Sequence, residues 1–87
     1  MFFEYDPAKS ASNLTKHGID FVEAQWLWQD FKLAIVDARD DNEERFLAIG
    51  RIGDRHWSAV YTQRGRNIRL ISVRRARPTE IKRYEGQ

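Results

Sequence analysis

The apolar positions of the chain change their spacing from segment to segment, and each spacing names an element. Phe2-Phe3-Glu4-Tyr5 alternates and predicts a short first strand. Asp6-Pro7 has the form of a helix start, with Asp6 able to accept from free N–H groups and Pro7 suited to the first helical position. That helix runs through Lys9, Asn13 and Leu14 to about His17, and Gly18 ends it. Asp20 and Glu23 resemble a capping box opening a second helix that stops near Asp30. Phe21, Ala24, Leu27 and Trp28 form its buried stripe, while Trp26 falls off that stripe and suits a protein interface.

Four strands follow by composition. They are Leu33 to Val36, Arg45 to Arg51, Trp57 to Thr62 and Ile68 to Arg74, with turns at Gly53-Asp54 and at Arg64 to Asn67. Pro78 then opens a last helix ending near Tyr84. Consecutive strands on short turns pair antiparallel. The expectation is an α+β domain over residues 1–87, in the order β-α-α-β-β-β-β-α, with a small antiparallel sheet and helices packed on one face. Strict alternation puts Ile68, Leu70, Ser72 and Arg74 on one face of the last strand and Arg69, Ile71, Val73 and Arg75 on the other.

Composition narrows the function. There is no cysteine, which excludes thiol chemistry and Cys-based zinc sites and is compatible with a cytoplasmic protein. The start Met1-Phe2-Phe3-Glu4-Tyr5-Asp6 lacks the charged opening and long apolar run of a signal peptide. No apolar stretch approaches the ~18 residues a membrane helix needs, so no membrane partner is expected. No glycine loop for phosphates, nucleophile elbow or dinucleotide fingerprint is present, and no cofactor is expected.

The net charge of +2 hides a division. Residues 1–44 carry 4 Lys/Arg against 10 Asp/Glu, a balance of −6, and residues 45–87 carry 11 against 3, a balance of +8. The basic half suits a polyanion, and arginine, which dominates it, binds phosphate bidentately. A solvated basic face is the plainer alternative. Arg74 and Arg75 lie where few acids are near in sequence, so neither is expected to be consumed in an ion pair. The acidic run of Asp37, Asp40, Asp41, Glu43 and Glu44 lacks metal-ligand spacing, and no metal site is expected. It reads as a solvated loop or as a contact for a basic partner.

Cleaving RNA without a metal needs a group to take the 2′-OH proton, fixed positive charge at the phosphate, and a group to protonate the leaving oxygen. His17, His56, Glu80, Tyr84 and the lysines are the proton-transfer candidates. His17 also suits a helix C-terminus, Glu80 equally suits the first turn of a helix, and His56, beside a turn, suits an exposed role. Trp28 and Trp57 read as core, although Trp26, Trp28, Trp57, Tyr61 and Tyr84 are all of a type that stacks on bases.

Several blocks together resemble one family. Phe3 to Lys9, Asn13 to Phe21 and Glu23-Ala24 are similar to the opening of the BrnT toxins. Glu44-Arg45-Phe46, Ile49-Gly50, Tyr61 to Arg64, Ile71 to Ala76, Glu80 and Tyr84 are similar to the rest. The departures are Val73, where alanine is commoner, and Tyr5, where tryptophan is commoner. The resemblance implies a RelE-like fold and an endoribonuclease that blocks translation. It also implies neutralisation by a BrnA-type antitoxin, a toxin–antitoxin heterotetramer, and operator DNA met only through the antitoxin. Lys9, His17, Arg45, Arg64, Arg74, Arg75, Glu80 and Tyr84 occupy matching positions.

The expected catalytic set is His17, Arg64, Arg74, Arg75, Glu80 and Tyr84. Lys9, Lys16, Arg45, Arg69, Arg77, Lys82 and Arg83 are expected to bind RNA. A non-catalytic nucleic-acid-binding or antitoxin-binding corepressor is the alternative, and a partner whose charge serves assembly alone is a third.

Overall fold

The computed structural model describes residues 2–39, 41 and 43–86. Five strands form one sheet: β1 (Phe2–Glu4), β2 (Ala34–Asp37), β3 (Phe46–Ile52), β4 (Arg55–Arg64) and β5 (Asn67–Arg75). Their spatial order is β1-β5-β4-β3-β2. β2 through β5 pair antiparallel, and β1 adds to β5 in parallel. The α+β class and the element order follow the expectation from sequence. Both central hairpins close on two residues, Gly53-Asp54 and Gly65-Arg66, with φ of 63° and 59° at the glycines. Left-handed backbone at that position matches the twist of the flanking strands.

Helix α1 (Pro7–His17) begins and ends where the sequence places it. Asp6 accepts from the Ala8 N–H at 2.9 Å, and Gly18, at φ 80°, returns its N–H to the Leu14 carbonyl. The segment beyond it differs from the expected α-helix. It is a 3₁₀ helix over Glu23–Gln29, entered by a hydrogen bond from the Glu23 N–H to Asp20 Oδ1 at 2.8 Å. The reason lies in the buried positions Phe21, Ala24 and Leu27, which recur every three residues. Three residues per turn stack such positions in line, whereas an α-helix spreads them. Trp28 stays half-buried, edge-on to Phe3 and Tyr61.

The sheet is apolar on both faces. One face buries Ala48, Trp57, Ala59, Tyr61, Ile68, Leu70 and Val73 against Ile19, Phe21, Ala24 and Leu27. The other carries Leu47, Ile49 and Ala34, and these pack with Tyr84 of helix α2 (Pro78–Glu85). The expectation of all helices on one face is therefore corrected for α2. A second apolar face exposed to water would cost about 25 cal/mol per Å², and α2 covers part of it.

Strict alternation along β5 also fails at one point. Val60 pairs with Ser72 and Tyr61 with Leu70, leaving Ile71 as a bulge. The extra residue reverses the sidedness beyond it. Ile68, Leu70 and Val73 thus share the core face, while Ser72 and Arg74 turn toward α2. The far half of β5 lacks a strand neighbour on its outer side among the described residues, and α1 fills the place. The Asn13 side-chain amide donates to the Val73 carbonyl at 2.8 Å and accepts from the Val73 N–H at 3.1 Å, as a neighbouring strand would. It also donates to the Ile19 carbonyl at 2.8 Å.

Candidate nucleic-acid interface

Arg74 leaves β5 on the face that carries α2, opposite Ser58 of β4. Six residues on, the first turn of α2 brings Glu80 back to it. Arg74 Nη1 donates to Glu80 Oε1 and Nη2 to Oε2, both at 2.8 Å. Glu80 Oε1 further accepts from Ser58 Oγ at 2.9 Å and from the Arg77 N–H at 2.8 Å. The expectation that Arg74 escapes ion pairing is thus overturned. The partner is distant enough in sequence to be missed and is delivered by the chain reversal at Pro78. The Arg74 guanidinium holds the Glu80 carboxyl at about 2, with the Arg77 and Ser58 donors adding to it against the desolvation that opposes them. Glu80 raises the Arg74 pKa in return. A carboxylate this acidic is a poor proton acceptor at neutral pH and a good anchor.

The anchor uses one edge of the guanidinium. Nη1 spends its second proton on the Arg75 carbonyl at 3.3 Å. The Nε–H and the second Nη2 proton, which point together along the adjoining edge, make no hydrogen bond among the described residues. An arginine has five donors in fixed directions, and that free edge fits two oxygens of a phosphate. Arg75 points to the opposite face and lies 5.5 Å above the Trp57 ring.

Ser72, on the same face as Arg74, lines an open cavity of about 230 Å³ with Ile71 and with Lys9, Ser12, Asn13, Lys16 and His17 of α1. Three basic candidates from the first half of the chain thus gather beside the strand that carries Arg74. Lys9, Lys16 and His17 are exposed and make no ion pair among the described residues. Their spacing of seven and eight along one helix places them on one side.

Other candidates lie elsewhere. Arg64 faces the same way as Arg74 but at the opposite end of the sheet, paired with Asn67. Six steps of β4, from Ser58 opposite Arg74 to Arg64, separate the two positions by roughly 20 Å. Arg69 sits near that end with its Nη1 3.5 Å from Glu4 Oε1, and Arg45 Nε donates to Glu43 Oε1 at 3.0 Å. Arg77 precedes α2, and Lys82 and Arg83 are exposed on it. Tyr84 donates its hydroxyl to Asp30 Oδ2 at 2.7 Å. Burial raises the Tyr84 pKa, and the Asp30 carboxylate raises it further. Burial also raises Asp30, but hydrogen bonds from the Arg51 N–H, the Tyr84 hydroxyl and the Lys32 N–H outweigh it and hold the carboxyl below its ordinary value.

Residues that sequence reasoning passed over complete the picture. Ser58 carried no signal, since a serine within a strand pattern is unremarkable, and Ser72 entered only as a strand position within the Ile71 to Ala76 block. His56 is half-buried rather than exposed, because Tyr84 packs edge-on against it at 5.3 Å. With Lys32, Arg51, Tyr84 and Glu85 it lines a second cavity of about 430 Å³. The acidic run starts at Asp37, the last residue of β2, and continues into the connection to β3. Its residues Asp37, Asp41, Glu43 and Glu44 are exposed, and Asp40 lies outside the described residues.

A family model described as a ribonuclease toxin, BrnT, of type II toxin–antitoxin systems matches residues 5–80. The chain belongs to the BrnT family. No curated protein matches it. Membership makes RNA the substrate and an antitoxin the partner, and no helix among the described residues is long and apolar enough to cross a membrane. The BrnT match begins at Tyr5 and ends at Glu80, so it takes in the Arg74–Glu80 clamp and the α1 cavity and leaves Tyr84 outside.

Proposed function

We propose that this BrnT protein is a cytoplasmic endoribonuclease that cuts RNA without a metal ion, stops translation, and is neutralised by a BrnA-type antitoxin. The antitoxin binds it in a heterotetramer and carries the contact with operator DNA. The observation that carries the catalytic reading is the free edge of Arg74, fixed by Glu80, on the same strand whose Ile71 and Ser72 line the cavity with Lys9, Lys16 and His17.

In the reaction, the ribose O2′ attacks its own phosphorus and the bond to O5′ breaks, leaving a 2′,3′-cyclic phosphate and a 5′-hydroxyl. The proton on O2′ departs and another reaches O5′. Arg74 holds two non-bridging oxygens while their charge grows. His17 is the proton carrier, since an imidazole has one nitrogen that can accept a proton and one that can donate it. Lys9 and Lys16 hold the strand. Glu80 acts through Arg74, as a positioning residue. Arg64 and Arg69 guide the RNA along the sheet, Arg77, Lys82 and Arg83 extend that track onto α2, and Arg75 and Tyr84 support the site by packing, while Arg45 stays with Glu43 at the acidic border.

The test is cleavage of a defined RNA by the purified toxin in excess chelator, together with growth on induction with and without the neighbouring reading frame. Cleavage to 2′,3′-cyclic ends and growth arrest relieved by the neighbour are expected. Intact RNA with undisturbed growth overturns the reading and leaves a corepressor that binds antitoxin alone.

A further inference from the structure

Among the described residues, four of the six large apolar side chains left exposed, Val22, Trp26, Phe31 and Ile35, fall within one stretch of fourteen residues. Phe31 is 97 % exposed and Ile35 45 %. Phe31 sits in the connection from the 3₁₀ helix to β2, and Ile35 lies within β2 itself. β2 is an edge strand that, among the described residues, pairs only with β3. Every second peptide group of an edge strand points away from the sheet, and such an edge invites pairing with another chain. Natural proteins usually blunt it. Here an exposed isoleucine is kept on it and a fully exposed phenylalanine stands before it.

The charge at this edge has the opposite sign from the RNA face. Asp37 closes β2, and Asp41, Glu43 and Glu44 follow, against Arg39 and Arg45. RNA is repelled from such a border, whereas a basic polypeptide is drawn to it. The BrnT family assignment supplies a polypeptide that must recognise this toxin.

We propose that β2 is a docking edge for the antitoxin. An extended antitoxin segment adds to it as a sixth strand, covers Phe31 and Ile35 with apolar side chains, and meets the run from Asp37 to Glu44 with Lys or Arg. Backbone pairing supplies the register and the alternate side chains supply specificity. This rests on the toxin–antitoxin reading but not on the catalytic one.

The experiment uses the full-length toxin and the antitoxin encoded by the neighbouring frame. Hydrogen exchange is compared for residues 34–37 in the free toxin and in the complex. Affinity is then measured for Phe31→Asp, Ile35→Lys and Asp41→Lys, whose altered side chains are all exposed in the free toxin. Circular dichroism and thermal melting of the free variants report on folding. The β2 amides should exchange about tenfold slower or more in the complex, and Phe31→Asp and Ile35→Lys should each bind about tenfold more weakly or worse, one factor of ten being about 1.4 kcal/mol. Asp41→Lys should weaken binding less and flatten its salt dependence. Unchanged exchange at β2 in the complex, or variants that bind as tightly as the wild type, overturns the proposal. So does equal protection in the free toxin from pairing with a second copy. A wild-type toxin that binds its antitoxin through β2 yet leaves RNA intact sinks the catalytic reading and keeps this one.

Discussion

Arg74 and Arg39 both stand beside carboxylates, one in the basic half of the chain and one in the acidic half, and they do different things. Arg74 meets Glu80 through two bonds of 2.8 Å, with side chains 23 % and 14 % exposed. Arg39 reaches Asp37 at 3.5 Å and Glu44 at 3.4 Å, and all three side chains are mostly in water. A solvated pair of that kind contributes little, with a median near 0–1 kcal/mol in general. The partly buried, two-bonded pair fixes a guanidinium in one orientation. The basic half thus contains positioned charge, while the acidic half contains mobile charge around exposed apolar side chains. The first suits chemistry and the second suits recognition.

The sharpest way to break that contrast is to remove each arginine. Arg74→Ala should lower RNA cleavage by roughly 10²–10³-fold, the usual loss when one positioned donor to a developing negative charge is deleted. Arg39→Ala should leave cleavage unchanged. Turnover on a defined RNA, with circular dichroism to confirm folding, measures both. Equal rates for the two variants would erase the distinction.

The next largest effect is on stability against pH. The folded state holds Glu80 at about 2, below its ordinary 4.5. A carboxyl depressed in this way stabilises the fold fully above about pH 4.5, and the benefit is lost as the pH falls from there toward 2. At about 1.4 kcal/mol per pH unit, the full depression is worth at most about 3.5 kcal/mol. Glu80→Gln should therefore destabilise the toxin at pH 7 and flatten the acid limb of its denaturation curve between about pH 4.5 and 2. Cleavage should fall too, by less than in Arg74→Ala, because the substituted amide still accepts one hydrogen bond from the guanidinium. An acid limb as steep as that of the wild type would mean that the clamp does not set the stability.

How much of this was legible in the chain depended on whether the cause was local. Asp6-Pro7 and Gly18 bound α1 in sequence because capping acts within a few residues. The glycine turns marked both hairpins for the same reason. The bulge at Ile71 was invisible, since nothing in Leu70-Ile71-Ser72 signals it. It exists so that Val73 can join Leu70 on the core face while Ser72 and Arg74 turn away. The placement of α2 was misjudged because Leu47 and Ile49 alternate with Ala48 and Gly50, and small residues on one face do not reveal which face a helix covers. Within the site, the basic residues stood out by charge. The clamp did not, because Glu80 finds Arg74 only through the reversal at Pro78. The gathering of Lys9, Lys16 and His17 beside Ser72 required Asn13 to bind the edge of β5, a contact across sixty residues.

One hydrogen bond joins the two regions and gives the smallest effect. Tyr84, on α2 in the basic half, donates to Asp30 at the end of the 3₁₀ helix in the acidic half. The acceptor is held ionised by the Arg51 and Lys32 N–H groups as well, so losing one donor leaves it partly satisfied. Tyr84→Phe keeps the ring against His56 and removes only the hydroxyl. The expected cost is about 1.5 kcal/mol, the low end for a hydrogen bond to a charged group, because the acceptor keeps its other partners. Thermal melting measures it. Cleavage at saturating RNA should hold close to the wild-type rate, because the hydroxyl is committed to Asp30 and the Arg74–Glu80 clamp is formed one helical turn earlier. A melting point unchanged by Tyr84→Phe, together with a large loss of cleavage, would move Tyr84 from the framework into the chemistry. The cavity of Lys32, Arg51 and His56 would then rank as the reacting centre ahead of the one beside α1.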